Sequence, residues 1–455
     1  MDVRETGRNE HQADNAITRV LILAGLNIKW ILGDMIAAVP SLWAGRRLKD
    51  VGVDTFPSSQ PFSELQAYKS IIKHRAVADR FNFTDPFYRC HDQSKGAVTT
   101  IDGRPYVNFA SYDYLGLNGH PAVVAAAKAA IDEHGTSVSA SRIVAGERPL
   151  HRQLETALAG LYETESAITF VSGHATNVST ISTLLDSGDL ILYDELAHNS
   201  LLVGIKLSNA KAFAFRHNDL GDLERLFRSH RRSSRNALIV VEGLYSMDGD
   251  IPDLPKLVEL KERYGAWLMV DEAHALGVLG SRGRGLAEHF AVSPKRVDIW
   301  MGTLSKALAG CGGYIAGNHE LVETLKFRAG GQVYSVGMSP PVAAAAIASL
   351  DLMKAEPERV TRLHANGAAF LHAARARGLD TVTSRGYAII PIMVGDIVKA
   401  GRLTDRMMAR GINVLPIIYP AVPLKAARLR FFITSSHTVQ QIEETVKTVA
   451  EELRR

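Results

Sequence analysis

Ala266-Trp-Leu-Met-Val-Asp-Glu-Ala-His274 and Asp298-Ile-Trp-Met-Gly-Thr-Leu-Ser-Lys306 decide the fold of this chain, the second continuing as Ala307-Leu-Ala-Gly-Cys-Gly-Gly-Tyr-Ile-Ala-Gly317. Each is a short apolar run ending in polar residues. That is the pattern of a buried parallel strand whose loop opens onto a site. The first run delivers Asp271 and His274 at its carboxyl end, and the second delivers Thr303, Ser305 and Lys306. In open α/β sheets, ligands sit outside the carboxyl ends of the strands. The two runs therefore predict a carboxylate, an imidazole and an amine converging on one edge of a sheet.

That trio suits pyridoxal phosphate. A lysine forms a Schiff base with this cofactor, and an acid keeps the pyridine nitrogen protonated so that the ring draws electrons. Taken singly, a lysine in a glycine-rich stretch is ordinarily solvated, and Asp-Glu-Ala-His is an ordinary strand exit. Together at successive strand ends, with hydroxyls just before the lysine, they favour the cofactor. From about 165 to 317 apolar runs alternate with helical patterns, which predicts a mostly parallel sheet. A dinucleotide-binding domain shares this alternation, but no Gly-x-Gly-x-x-Gly opens a helix after a first strand, and there is no Walker-type loop. Gly310-Cys-Gly-Gly313 fits close backbone approach near the cofactor.

At 455 residues the chain predicts two or three domains. A net charge of +4, from 52 basic and 48 acidic residues, is too balanced to argue for nucleic acid. The run Arg225 to Arg235 reads as a solvated helix end. Cys90 and Cys311 allow no disulfide framework, which fits a cytoplasmic protein. No metal-ligand set is evident. Residues 1 to 15 are polar and expected to be disordered. Ile17 to Val39 is no secretory signal, and Asn27, Lys29 and Asp34 interrupt it as a membrane span. Its helical spacing predicts an amphipathic helix on a membrane, a partner or the enzyme's own surface. Pro40, Pro57 and Pro61 mark a linker. The expected domains are an extension over 1–66, a large domain with its arm over 67–345, and a small α+β domain over 346–455.

Asp271-Glu-Ala-His274 and Gly302-Thr-Leu-Ser-Lys306 resemble the cofactor motifs of the α-oxoamine synthases. These are fold-type I pyridoxal-phosphate enzymes that condense an amino acid with an acyl thioester and release carbon dioxide. The resemblance covers roughly residues 70 to 455, with the motifs in family order. It implies the family fold: an α/β large domain on a mostly parallel sheet with a smaller C-terminal α+β domain. It also implies roles. Lys306, Asp271, His274 and His198 are the catalytic set, with His198 stacked on the pyridine ring. Gly173 and His174 hold the phosphate through their amides at a helix start. Ser246, Thr303 and Ser305 join them around the cofactor, with Glu242 nearby. Ser335 reaches the neighbouring subunit's phosphate, where relatives often use Thr at the position of Val336. Tyr112, where many relatives carry Asn, and Ser141 border the amino acid. Ser139 is read as a loop cap, His217 as structural, and Asp248-Gly249 as a turn. Arg430 binds the substrate carboxylate. Strand alternation puts Arg428 on the same face, and it is read as a surface or domain-contact residue.

The motif variants Ser-Tyr-Asp-Tyr and Arg-Leu-Arg-Phe-Phe lean towards the serine palmitoyltransferase branch. That implies L-serine, a long-chain acyl thioester on coenzyme A or acyl carrier protein, and sphingolipid biosynthesis. The alternatives are another branch using glycine or alanine with a shorter acyl group, and a pyridoxal-phosphate aminotransferase. The resemblance further implies a homodimer with shared active sites. Peripheral contact with the inner membrane face would come through residues 17–39.

Overall fold

The computed structural model describes residues 58–455, so the amphipathic segment 17–39 lies outside them. The chain divides into two compact units, Met1–Lys69 and Ser70–Arg455. A 3-10 turn at Phe62–Glu64 and a helix over Gln66–Arg80 begin the described part. Among the described residues no helix is long and apolar enough to cross a membrane.

An antiparallel ribbon follows: β1 (Gln93–Lys95), β2 (Val98–Ile101) and β3 (Arg104–Asn108). Seven strands then build the central sheet: β4 (Ser166–Phe170), β5 (Leu190–Asp194), β6 (Lys211–Phe215), β7 (Ala237–Glu242), β8 (Trp267–Asp271), β9 (Ile299–Thr303) and β10 (Gly313–Gly317). Their order is β4-β10-β9-β8-β7-β5-β6. All six residues of β7 and all five of β9 are buried. That requires cover on both faces, which explains why these strands read as continuous apolar runs. Successive side chains point to opposite faces. Ile239, Val241, Val270 and Trp300 pack into one apolar cluster, and Leu238, Val240, Met269 and Met301 into the other. Each such side chain contributes about 1.5–3 kcal/mol on burial.

The strands β5 to β9 pair in parallel, whereas β10 runs antiparallel to both β9 and β4. The apolar pattern gave no sign of this reversal. Its cause is the connection: no helix separates Thr303 from Gly313, and a parallel return needs a longer crossover. Register aligns Glu242 with Asp271 and Asp271 with Met301. The carboxyl ends of β7, β8 and β9 are thereby brought side by side.

Helices Pro340–Ala355 and Glu358–Ala376 lead to β11 (Ile389–Gly395), β12 (Ile412–Asn413), β13 (Leu415–Ile417) and β14 (Ala427–Phe432). The small sheet has the antiparallel order β11-β14-β13. The stretch 412–415 is split between two sheets. Asn413 stays with β3, where its Nδ2 donates to Asn108 Oδ1 at 2.9 Å, and Leu415 crosses to β14.

His437 locks this junction. Its ring stacks on Phe109 at 4.2 Å, Nδ1 accepts the Thr434 N–H at 3.0 Å, and Nε2 donates to Asn108 O at 3.2 Å. Thr438 then caps the last helix, Val439–Leu453, in a capping box with Gln441. Burial drives the His437 pKa down to about 4, against about 6.5 in an unfolded chain. Between these values the unfolded chain takes up a proton that the folded one refuses. Stability present above pH 6.5 is therefore lost as the pH falls towards 4, by up to about 3 kcal/mol. Urea titrations of wild type and His437→Gln between pH 7 and 4 should show a shallower acid loss in the variant; parallel curves would contradict this.

Candidate active site

Asp271 ends β8 buried, and both its oxygens are held: Oδ2 accepts Asn177 Nδ2 at 2.8 Å and Oδ1 accepts the Ala273 N–H at 2.9 Å. Asn177 donates its other hydrogen to Ser200 Oγ at 2.9 Å, and that hydroxyl lies 2.7 Å from His198 Nδ1. The Ser200 hydroxyl donates onward, so His198 accepts at Nδ1 and carries its proton on Nε2. One chain of hydrogen bonds thus orients the acid and the imidazole together. His198 also caps the helix Asn199–Ser208, and burial lowers its pKa.

His274 lies buried beyond Asp271, with Nδ1 2.6 Å from the Tyr114 hydroxyl. Burial keeps its pKa well below the usual value, with the Lys306 and Arg430 charges adding to the effect. The ring is neutral, accepts from Tyr114 at Nδ1, and is left with an Nε2–H to donate. Asn177, Ser200 and Tyr114 were not assigned roles from sequence. The signal available was their place one turn or two residues from an assigned residue: Asn177 from Gly173, Ser200 from His198 and Tyr114 from Tyr112.

Lys306 Nζ lies 5.8 Å from the centre of the Tyr112 ring, at the mouth of the site. Burial depresses its pKa to about 8, although Asp271 and Glu242 pull the other way. Glu242 is buried beside Asp271 with Oε1 unpartnered, and burial pushes its pKa up to about 8. Arg430 is half-buried against Phe432, its guanidinium 4.5 Å from the ring centre. It donates to Ser246 O at 2.8 Å, but its Nε is buried without a partner.

The helix Gly173–Leu184 starts beside the lysine segment. Ser172 caps it by accepting the Ala175 N–H, leaving the Gly173 and His174 amides ahead. A methyl group at Gly173 would come within 3.1 Å of Thr303 Oγ1, and one at Gly313 within 2.7 Å of Gly173 Cα. These glycines let β10 and the helix start close in around the strand end. The His174 side chain is exposed, so its contribution is its amide. Thr303 donates to Gly312 O at 2.8 Å and accepts the Ser305 N–H at 3.2 Å. Ser305 itself is exposed.

Ser141 is half-buried, and its carbonyl starts the turn Arg142–Gly146. Arg142 anchors that turn through Glu147 and Glu155. Ser139 is a left-handed residue, with φ 53°, and not a cap. Ser335 is half-buried between exposed Tyr334 and Val336. Arg428 is not a surface residue: only 5% exposed, it pairs with Asp248, which is therefore more than a turn residue. His217 is structural as expected. It bridges Asp194 and Asp250 at 2.9 Å each, and those carboxylates outweigh burial to lift its pKa to about 10. A cleft of about 660 Å³, lined by Trp267, Lys295 and Gly317, opens at the opposite end of the sheet, away from Lys306.

These residues fit pyridoxal phosphate. There is an amine of lowered proton affinity, an acid held by two donors, a flat imidazole, a helix start for the phosphate, and orphaned polar atoms at Glu242 and Arg430. Only the neutral amine attacks an aldehyde. Loading of the cofactor-free protein, followed by absorbance, should accelerate with pH up to an inflection near 8. An inflection at 10 or above would contradict the depressed lysine. Asn177→Ala leaves Asp271 and Ser200 each short of a donor and should weaken cofactor binding about tenfold; unchanged affinity would count against the network.

The comparisons agree with this geometry. The family described as aminotransferase class I and II matches residues 104–449. The 8-amino-7-oxononanoate synthase of Geobacter sulfurreducens is 42% identical over 359 residues, 78% of this chain and 91% of that protein. The enzyme of the same name (synthase 1) from Bacillus velezensis is 39% identical, over 80% and 93%. Among solved structures, a serine palmitoyltransferase with pyridoxal phosphate superposes with a TM-score of 0.82 at 29% identity, covering 87% of this chain and 99% of that one. The 8-amino-7-oxononanoate synthase of Francisella tularensis superposes at 0.68 and 28%, covering 77% and 98%. The chain belongs to the class I and II aminotransferase family, in its pyridoxal-phosphate-dependent α-oxoamine synthase branch.

Proposed function

We propose that this enzyme condenses a small α-amino acid, alanine ahead of serine, with an acyl thioester, releasing carbon dioxide and a thiol and leaving an α-amino ketone. The observation that carries the reaction type is Lys306, a half-buried amine whose pKa falls to about 8, near enough to Asp271 to feel its charge, together with an arginine whose Nε is buried and unpartnered. When bound, pyridoxal phosphate supplies an electron sink for negative charge at the substrate α-carbon. Asp271, fixed by Asn177 and Ala273, sits where it can hold the ring nitrogen's proton. When the cofactor is bound, His198 would cover the ring face and His274 would donate its Nε2–H to the ring oxygen. The amides of Gly173 and His174, with Thr303 and Ser305, would hold the phosphate, and Ser246 would line the ring. Lys306 Nζ takes the proton from the α-carbon. Arg430 holds the substrate carboxylate, for which a guanidinium edge is matched. Tyr112 and Ser141 border the amino-acid side chain. Ser335, on an exposed stretch with Tyr334 and Val336, meets the partner's phosphate in a homodimer.

The choice of amino acid corrects the motif-based preference for serine. The relatives at 37–42% identity are 8-amino-7-oxononanoate synthases, which join alanine to a pimeloyl thioester. Serine palmitoyltransferases stand at 29–30%, and a role in sphingolipid synthesis loses its support. Serine with a long-chain thioester remains the second reading, favoured by the higher TM-score. The large and small domains of this reading are 67–345 and 346–455.

The test is a panel of glycine, alanine and serine added to the loaded enzyme, read by the cofactor spectrum. Pimeloyl-CoA or palmitoyl-CoA follows, with thiol release measured. Alanine with the shorter thioester should give the fastest release. Faster release with serine and palmitoyl-CoA supports the second reading. Amino-group transfer without thiol release would refute both.

A further inference from the structure

Two arginines of β14 grip three consecutive residues of the turn after β7. Arg430 Nη1 donates to Ser246 O at 2.8 Å and lies 3.2 Å from Met247 Sδ. Arg428 Nη1 donates to Met247 O at 3.2 Å and pairs with the Asp248 carboxylate, while its Nε donates to Ala426 O at 3.1 Å. Arg428 is 5% exposed and Asp248 7%. The two arginines are used differently. Arg428 directs its donors to protein acceptors, whereas Arg430 keeps a buried Nε with no partner.

The turn is itself fixed. His217 ties Asp250 to Asp194 at the end of β5, and Tyr245 N–H donates to Asp250 O at 2.9 Å. Gly249, with φ +75°, packs so tightly that an added Cβ would lie 2.1 Å from Ile389 O of β11. Asp248 is therefore an immobile post in the large sheet's loop. Arg428 and Arg430 leave the same face of β14, two residues apart. Whatever fixes one fixes the other's starting point.

We propose that the Arg428–Asp248 ion pair is a positioning device for Arg430, setting where its unpartnered edge meets the carboxylate of an amino-acid substrate. The proposal rests on the reading of Arg430 given under the proposed function. A buried ion pair that joins β14 to the turn after β7 fixes distance as well as charge. Losing it lets β14 slide, and a displacement of about 1 Å is enough to cost a large factor in a carboxylate contact.

The test uses the full-length, cofactor-loaded enzyme and two variants, Asp248→Asn and Arg428→Lys. Alanine and serine are titrated against the cofactor spectrum. Ethylamine and ethanolamine, which lack the carboxylate, are titrated alongside. The expected result is a loss of amino-acid affinity of about tenfold or more, with amine affinity and cofactor content within about twofold of wild type. Asp248→Glu should recover part of the loss. An unchanged amino-acid affinity would overturn the proposal, as would equal losses for amino acids and amines. Failure of both variants to load cofactor would also overturn it, since the pair would then be a folding element. Arg430→Lys separates the two readings: if it leaves amino-acid binding intact, the carboxylate assignment has failed, independently of the ion pair.

Discussion

Holding an amine and a carboxylate at the ends of neighbouring buried strands is the constraint on which the rest of this structure depends. Burial penalises both charges, and the fold answers each separately. Asp271 receives two hydrogen-bond donors, from Asn177 and the Ala273 amide. Lys306 receives none comparable, and its pKa falls to about 8. The same burial that weakens the lysine's hold on a proton makes it a nucleophile and a base near neutral pH. The reversed strand β10 follows from the same demand. Its short, glycine-rich link brings the helix start at Gly173 against the segment that carries Lys306.

Much of this was legible in the sequence because apolar runs that end in polar residues mark strand ends, and strand ends mark sites. His198 was legible only through the family resemblance, whereas Asp271, His274 and Lys306 are found where those runs predict. The helix start at Gly173 was legible for the same reason. Asn177, Ser200 and Tyr114 were not, since a helical Asn, a first-turn Ser and a buried Tyr each have an ordinary structural reading. Only their distances reveal the relay from Asp271 to His198. The direction of β10 was hidden because an apolar pattern carries no polarity. Arg428 was half misread: alternation gives the face a side chain leaves from, but not what covers that face. Asp248 looked like a turn residue because its partner is distant in sequence.

Sequence identity and structural superposition pull the substrate assignment in different directions. The sequence relatives are 8-amino-7-oxononanoate synthases, and the better superposed structures are serine palmitoyltransferases. This is the expected outcome when the cofactor machinery is common to a branch. On the proposed reading, Lys306, Asp271, His274 and His198 serve the cofactor, whatever the substrate. Specificity would then fall to other residues, among them Tyr112, whose ring centre lies 5.8 Å from the Lys306 amine. Fold likeness therefore speaks to the reaction more than to the substrate.

The most direct measurement of the central claim is covalent trapping. The purified holoenzyme is reduced with borohydride, digested, and its peptides are mapped by mass spectrometry. The account predicts a phosphopyridoxyl group on Lys306 and on no other lysine. Modification at a different lysine, or at none, would contradict it.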